Sequence, residues 1–94
     1  MSYSLEFVES ALKEWRKLSS DIREQLKKKL AERLEHPRVP ADRLHGLPDC
    51  YKIKLRASGY RLVYQVQDKV LVVTMVAMGK REKGLAYLAA KKRL

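Results

Sequence analysis

Apolar residues along the chain switch between two periods, and each switch predicts a change of element. Tyr3 to Val8 alternates weakly, as a short opening strand does. Ala11, Leu12, Trp15 and Leu18 then recur at three- and four-residue spacing, the stripe of an amphipathic helix. Ser19-Ser20-Asp21 interrupts that stripe with residues suited to an N-cap, and Asp21 with Glu24 is expected to form a capping box. A second helix follows, with Ile22, Leu26, Leu30 and Leu34 on one face, until Pro37 and Pro40 forbid its continuation. The two helices are expected to form a hairpin that lays its leucines on something flat.

After a loop from His36 to Asp49, the period becomes two. Tyr51, Ile53 and Leu55 alternate with Lys52, Lys54 and Arg56, giving a strand with one apolar and one cationic face. Gly59 marks a turn, a second strand runs from about Tyr60 to Gln67, and Asp68-Lys69 makes the next turn. Val70 to Met78 is apolar on both faces and is therefore expected at the centre of the sheet. Gly79-Lys80-Arg81 is expected to leave the sheet, with a last helix marked by Leu85, Leu88 and Ala89 and ending in Lys91-Lys92-Arg93. The prediction is one α+β domain over residues 1–94: an N-terminal strand, a helical hairpin, an antiparallel three-stranded meander and a C-terminal helix. The helices are expected against one sheet face.

Parity fixes which cations share a face. The apolar set of the second meander strand is Leu62, Tyr64 and Val66, so Arg61 points the other way. Only an even loop, Ser58-Gly59 or Arg56 to Gly59, pairs apolar with apolar, and it sends Arg61 to the side of Lys52 and Lys54. No acid occurs from residue 50 to residue 67. A merely solvated face would mix signs, because like charges opposite each other destabilise a sheet. The face is expected to bind an anion.

Composition agrees on the sign of the partner. Lys and Arg number 21 against 11 Asp and Glu, a net charge of +10 that attracts polyanions, nucleic acid foremost. Charge by itself leaves a solubilising surface or a membrane-surface binder open. No apolar run approaches the ~20 residues of a membrane span. The start of the chain shows no export signal, and the single cysteine, Cys50, cannot form an internal disulfide, so a cytoplasmic location is expected. His36, His45 and Cys50 make no recognisable zinc set, and phosphate-cradling glycine loops, nucleophile elbows and paired carboxylates are missing. No metal and no cofactor is expected.

Several segments carry a family resemblance. Leu47-Pro48-Asp49-Cys50-Tyr51-Lys52-Ile53-Lys54-Leu55-Arg56, then Ser58-Gly59-Tyr60-Arg61-Leu62-Val63-Tyr64-Gln65-Val66, and Gly79-Lys80-Arg81-Glu82 resemble the RelE toxins of the RelE/ParE toxin–antitoxin superfamily. So do the helical segments Ala11–Leu18 and Arg23–Leu30, and the likeness extends over nearly the whole chain. It implies a microbial-RNase-like fold and cleavage of messenger RNA in the ribosomal A site. There the 2′-hydroxyl attacks its own phosphate, leaving a 2′,3′-cyclic phosphate and a 5′-hydroxyl. The catalytic set it implies is Lys52, Lys54, Arg61, Arg81 and Tyr87.

Chemistry distributes roles among these five only in part. Arginine stays protonated, so Arg61 and Arg81 suit clamping of phosphate oxygens. A lysine crowded by like charge loses its proton more readily, which makes Lys52 one candidate base, with Lys54 then donating to the leaving oxygen or holding the phosphorane; base and acid are not uniquely assigned. Tyr87 is open to three roles: stacking on a base, orienting the 2′-hydroxyl, or acting as the base. Lys27, Lys28, Lys29 and Arg33 on the second helix, with the basic tail, are expected to grip ribosomal RNA (16S at the A site). His45 and Arg56 are expected on the substrate side. His45 stands where relatives carry arginine, and Gly84 falls at the start of the last helix, where a helix-interior glycine costs ~1 kcal/mol.

The resemblance also implies a RelB-like antitoxin that covers the cationic face and, with the toxin, represses their operon through operator DNA. Two other classes remain at this point: a ParE-like toxin that binds gyrase and cuts no RNA, and a non-catalytic RNA-binding module.

Overall fold

The structure, a computed structural model, describes residues 2–80 and 84–94. Strand β1 (Ser4–Phe7) leads into helices α1 (Glu9–Arg16) and α2 (Ser20–Glu35). Strands β2 (Cys50–Leu55), β3 (Tyr60–Gln67) and β4 (Val72–Lys80) and helix α3 (Leu85–Arg93) follow. The sheet order is β1-β4-β3-β2. The expected meander is there, antiparallel throughout, and β1 joins it by pairing parallel to β4, so the sheet is mixed and β4 is interior.

Several local expectations are corrected. Ser19, not Asp21, caps α2: its hydroxyl accepts from the Ile22 amide, and Asp21 lies inside the first turn. The last strand starts at Val72, because a short turn over Asp68–Val70 ends in left-handed Leu71. It also continues through Gly79 and Lys80, which pair with Arg61 and Tyr60 instead of leaving the sheet. Gly84 is not a helix-interior residue: it sits at the N-cap of α3 with φ of +61°, a conformation that favours glycine over any residue with a Cβ.

The helices do not share one face. Leu26 and Leu30 of α2, Ala11 of α1, and Leu18 between the helices pack with Tyr51, Ile53, Leu55, Leu62, Tyr64, Val73, Met75 and Met78. On the opposite face α3 presses Ala86 and Ala90 onto Val63, Val76 and Ala77, beside Cys50. A β-bulge makes this possible. Val63 pairs with Ala77 and Tyr64 with Met75, so Val76 is the extra residue, and it turns to the α3 side together with Ala77. The cationic face of the meander is thus half-roofed by a helix.

Candidate RNA-cleavage face

The β2–β3 hairpin closes with Leu55 opposite Tyr60, leaving the four-residue loop Arg56–Gly59, one of the two even solutions. Gly59, at φ of +76°, supplies the left-handed residue that the turn needs. Register then sets Lys54 directly across from Arg61 and Lys52 across from Val63, so Lys52, Lys54 and Arg61 emerge on one side. Lys54 is exposed, while Lys52 and Arg61 are partly covered. Beside them the turn encloses a shallow depression of about 290 Å³ lined by Lys54, Arg56, Tyr60 and Arg61.

Crowding of cations has an electrostatic signature. The Lys54 ammonium is held below its ordinary pKa, first by the charge of Lys52, then by that of Arg61, with Arg56 adding to the effect. The lowering falls on Lys54, whereas the sequence pointed to Lys52.

Helix α3 brings Tyr87 over the same face. Arg61 Nη1 donates to the Tyr87 hydroxyl at 2.9 Å, and the guanidinium carbon lies 5.7 Å from the ring centroid. Arg61 therefore fixes the phenol by an edge hydrogen bond and a cation–π contact together. With its oxygen accepting from Arg61, the Tyr87 hydroxyl is free to donate its own proton outward. The structure thus gathers Lys52, Lys54, Arg61 and Tyr87; the fifth residue of the expected set, Arg81, lies outside the described residues. Arg56 is exposed on the turn beside this group, and His45 is exposed in the loop before β2.

The helix α2 residues divide. Lys27, Lys28 and Lys29 are exposed, on the side of the sheet opposite the lysine–arginine face, and Lys27 reaches Glu24 at 3.3 Å. Arg33 turns inward, which corrects its place in an RNA-gripping surface. Its guanidinium donates to Asp42 at 2.6 Å, to the Tyr64 hydroxyl at 2.9 Å and to the Lys52 carbonyl at 3.1 Å, with 15% of the side chain exposed. Arg33 is an internal brace that ties α2 to the backbone of the strand carrying Lys52.

Sequence reasoning missed two neighbours of the site. Lys80 lies 5.7 Å from the Tyr60 ring centroid at the end of β4; reading Gly79-Lys80 as strand would have found it. Arg93 pairs with Glu14 at 2.8 Å and anchors the end of α3. No sequence signal joins two residues so far apart along the chain. Among the described residues no group of three or more His, Cys, Asp and Glu is placed to hold a metal ion, and no helix is long and apolar enough to cross a membrane.

Comparison with known proteins follows the same lines. Residues 5–84 match the family described as the ParE toxin of type II toxin–antitoxin systems, parDE. The chain is 63% identical over 94 residues to the mRNA interferase toxin RelE of Escherichia coli K12, covering 100% of this chain and 99% of that one. It is similar to a structure of E. coli toxin RelE in the free state, a double arginine-to-alanine mutant, with TM-score 0.92, 62% identity and coverage of 100% and 99%. It also matches a chain of the intact E. coli RelBE toxin–antitoxin complex with TM-score 0.84 and 65% identity, over 87% of this chain and 100% of that one.

Proposed function

We propose, from the premise that this chain belongs to the ParE toxin family of type II toxin–antitoxin systems, that it is an mRNA interferase of the RelE kind. The observation that carries the reading is the cluster itself: Lys52, Lys54 and Arg61 on one sheet face with Tyr87 hydrogen-bonded to Arg61. Three cations and a phenol gathered on one sheet face suit a phosphodiester. A gyrase-binding surface has no chemical need to lower a lysine's pKa.

The reaction is in-line transfer. The 2′-oxygen attacks phosphorus as its proton leaves, the bond to the 5′-oxygen breaks, and a proton completes the 5′-hydroxyl. Lys54, crowded by Lys52 and Arg61, yields a neutral amine more readily than an isolated lysine and takes the 2′-proton. The Lys52 ammonium beside it supplies the proton for the leaving oxygen. The sequence alone left base and acid open among Lys52, Lys54 and Tyr87. Arg61 holds a non-bridging oxygen and orients Tyr87, whose hydroxyl donates to the 2′-side; Arg81 is the second clamp in the proposed set.

Weak acids and bases leave geometry as the main lever, and positioning can lower a barrier by several kcal/mol, ~7–11 at best. A messenger bent into line in the ribosomal A site supplies that geometry, so the ribosome is the proposed setting. Lys27, Lys28, Lys29, Arg56, His45 and the tail lysines Lys91 and Lys92 are the proposed contacts to messenger and 16S ribosomal RNA; Arg93, expected in that tail, is turned inward onto Glu14. A RelB-like antitoxin is the proposed neutralising partner, carrying operator-DNA contact when the pair represses its operon. The whole chain, residues 1–94, is taken as one functional unit in the cytoplasm.

The test compares cleavage of a messenger on programmed ribosomes with cleavage of the same RNA naked, mapping both new ends. Cuts in the A-site codon with cyclic phosphate and 5′-hydroxyl ends are expected, and equal rates on naked RNA would overturn the ribosomal part. Gyrase inhibition without cleavage would overturn the whole.

A further inference from the structure

Helix α3 carries Tyr87, yet its apolar hold on the sheet is slight. Ala86 and Ala90 are its buried residues, Tyr87 and Ala89 are only partly covered against the same cluster, and Leu85 and Leu88 are exposed. Two alanines bury little apolar area, so they alone set neither the rotation nor the axial position of a helix. Position 93 continues the stripe begun by 86 and 90, and there the chain has an arginine instead of an apolar residue.

That arginine is turned inward. Its Nη1 donates to Glu14 Oε1 at 2.8 Å and to the Val76 carbonyl at 2.8 Å, and Nη2 reaches Glu14 Oε2 at 3.4 Å. Glu14 also accepts from the Met78 amide at 3.4 Å. The Arg93 side chain is 23% exposed and that of Glu14 32%, so this pair is better shielded than the exposed ion pairs on α1 and α2. The forked geometry locks orientation as well as distance. One ion pair therefore joins α1 and α3 to β4 at the bulged Val76 and at Met78 just beyond it.

We propose that Glu14 and Arg93 are positioning residues for RNA cleavage: their pair fixes how α3 is turned and thereby holds the Tyr87 hydroxyl on Arg61. The inference rests on the nuclease reading above. Arg93 lies six residues beyond Tyr87, roughly 9 Å along the helix axis, and a rigid helix transmits its anchoring over that span. Releasing the anchor lets α3 rotate or lift over its two alanines, and the phenol leaves the guanidinium. The hydrogen bonds of Glu14 and Arg93 run to each other and to β4, so both act through Tyr87.

The experiment uses the full chain carrying Arg93→Gln, Glu14→Gln or Arg93→Lys, each in the Tyr87 and the Tyr87→Phe background. Single-turnover cleavage on programmed ribosomes is measured with NMR spectra of the Tyr87 ring. Arg93→Gln and Glu14→Gln are expected to shift the ring signals and lower kcat roughly tenfold to a hundredfold, with KM within about twofold. Arg93→Lys is expected to restore part of the loss. With phenylalanine at position 87, the same changes are expected to cost under about twofold, because the group they position is gone. An equal loss in both backgrounds, or unmoved ring signals, overturns the proposal. Shifted ring signals with undiminished cleavage overturn a role for Tyr87 in the reaction, and the positioning role with it, while leaving the lysine–arginine cluster standing.

Discussion

Lys54 and Arg61 are direct cross-strand partners in the β2–β3 ladder, two cations where an ion pair would stabilise the sheet. With the role proposed for Lys54, stability and chemistry are opposed at this pair. Lys54→Gln is expected to raise Tm, by relieving repulsion, while single-turnover cleavage falls by ~10²–10⁴-fold. A variant that loses both would mark Lys54 as a structural residue.

Titration offers an independent check. The shift of Lys54 is downward, so folding disfavours its ammonium. Between the lowered value and the ordinary 10.5 the unfolded chain binds more protons, and stability therefore rises with pH across that window. An NMR titration of the Lys54 side chain should give a midpoint below that of an ordinary lysine. Lys52→Gln removes the largest cause and should move it back up.

Arg33 is expected to matter for folding rather than for RNA. Arg33→Met leaves the Asp42 carboxylate and one side of the Tyr64 hydroxyl without a partner in a mostly covered site. Urea denaturation should show a loss of roughly 2–4 kcal/mol. Lys28→Gln, on the exposed face of the same helix, should stay within about 0.5 kcal/mol.

Gly84→Ala should destabilise, although alanine is the better helix former. At φ of +61° a Cβ costs roughly 1–2 kcal/mol, and it would meet Tyr87 Cδ2 at an ordinary 3.6 Å, so the backbone and not crowding sets the penalty. Amide hydrogen exchange in α3 should accelerate.

Cys50, the first residue of β2, is buried on the α3 side of the sheet, and burial pushes its thiol up to about 11. Alkylating reagents at pH 8 should leave the folded chain unmodified and label it fully in denaturant.

What the sequence made legible is what periodicity and parity encode. The meander register follows from three alternating apolar residues on each of β2 and β3, and that alternation is enough to place Lys52, Lys54 and Arg61 on one face. The face covered by α3 was hidden for two reasons. Val76 is an extra residue whose bulge changes which side chains share a side, and a run of valine, methionine and alanine carries no mark of where the ladder slips. Helix α3 itself is amphipathic only through small residues, so its buried stripe of Ala86 and Ala90 has no hydrophobic signature. Arg33 read as surface charge because four-residue spacing cannot distinguish a cation at the edge of a helix from one that reaches under it. Asp21 looked like the cap because acid and serine compete for that position, and Ser19 holds the backbone geometry.

The parallel pairing of β1 with β4 has a consequence for biosynthesis. Ser4 waits for Val72 and Phe7 for Met75, so the first strand leaves the ribosome without its neighbour and stays unpaired through most of translation. The residue that hydrogen-bonds Arg61 and the arginine that moors its helix are made later still. A nascent chain of this kind therefore holds the β2–β3 cations before it holds either the phenol that meets them or the ion pair that moors α3.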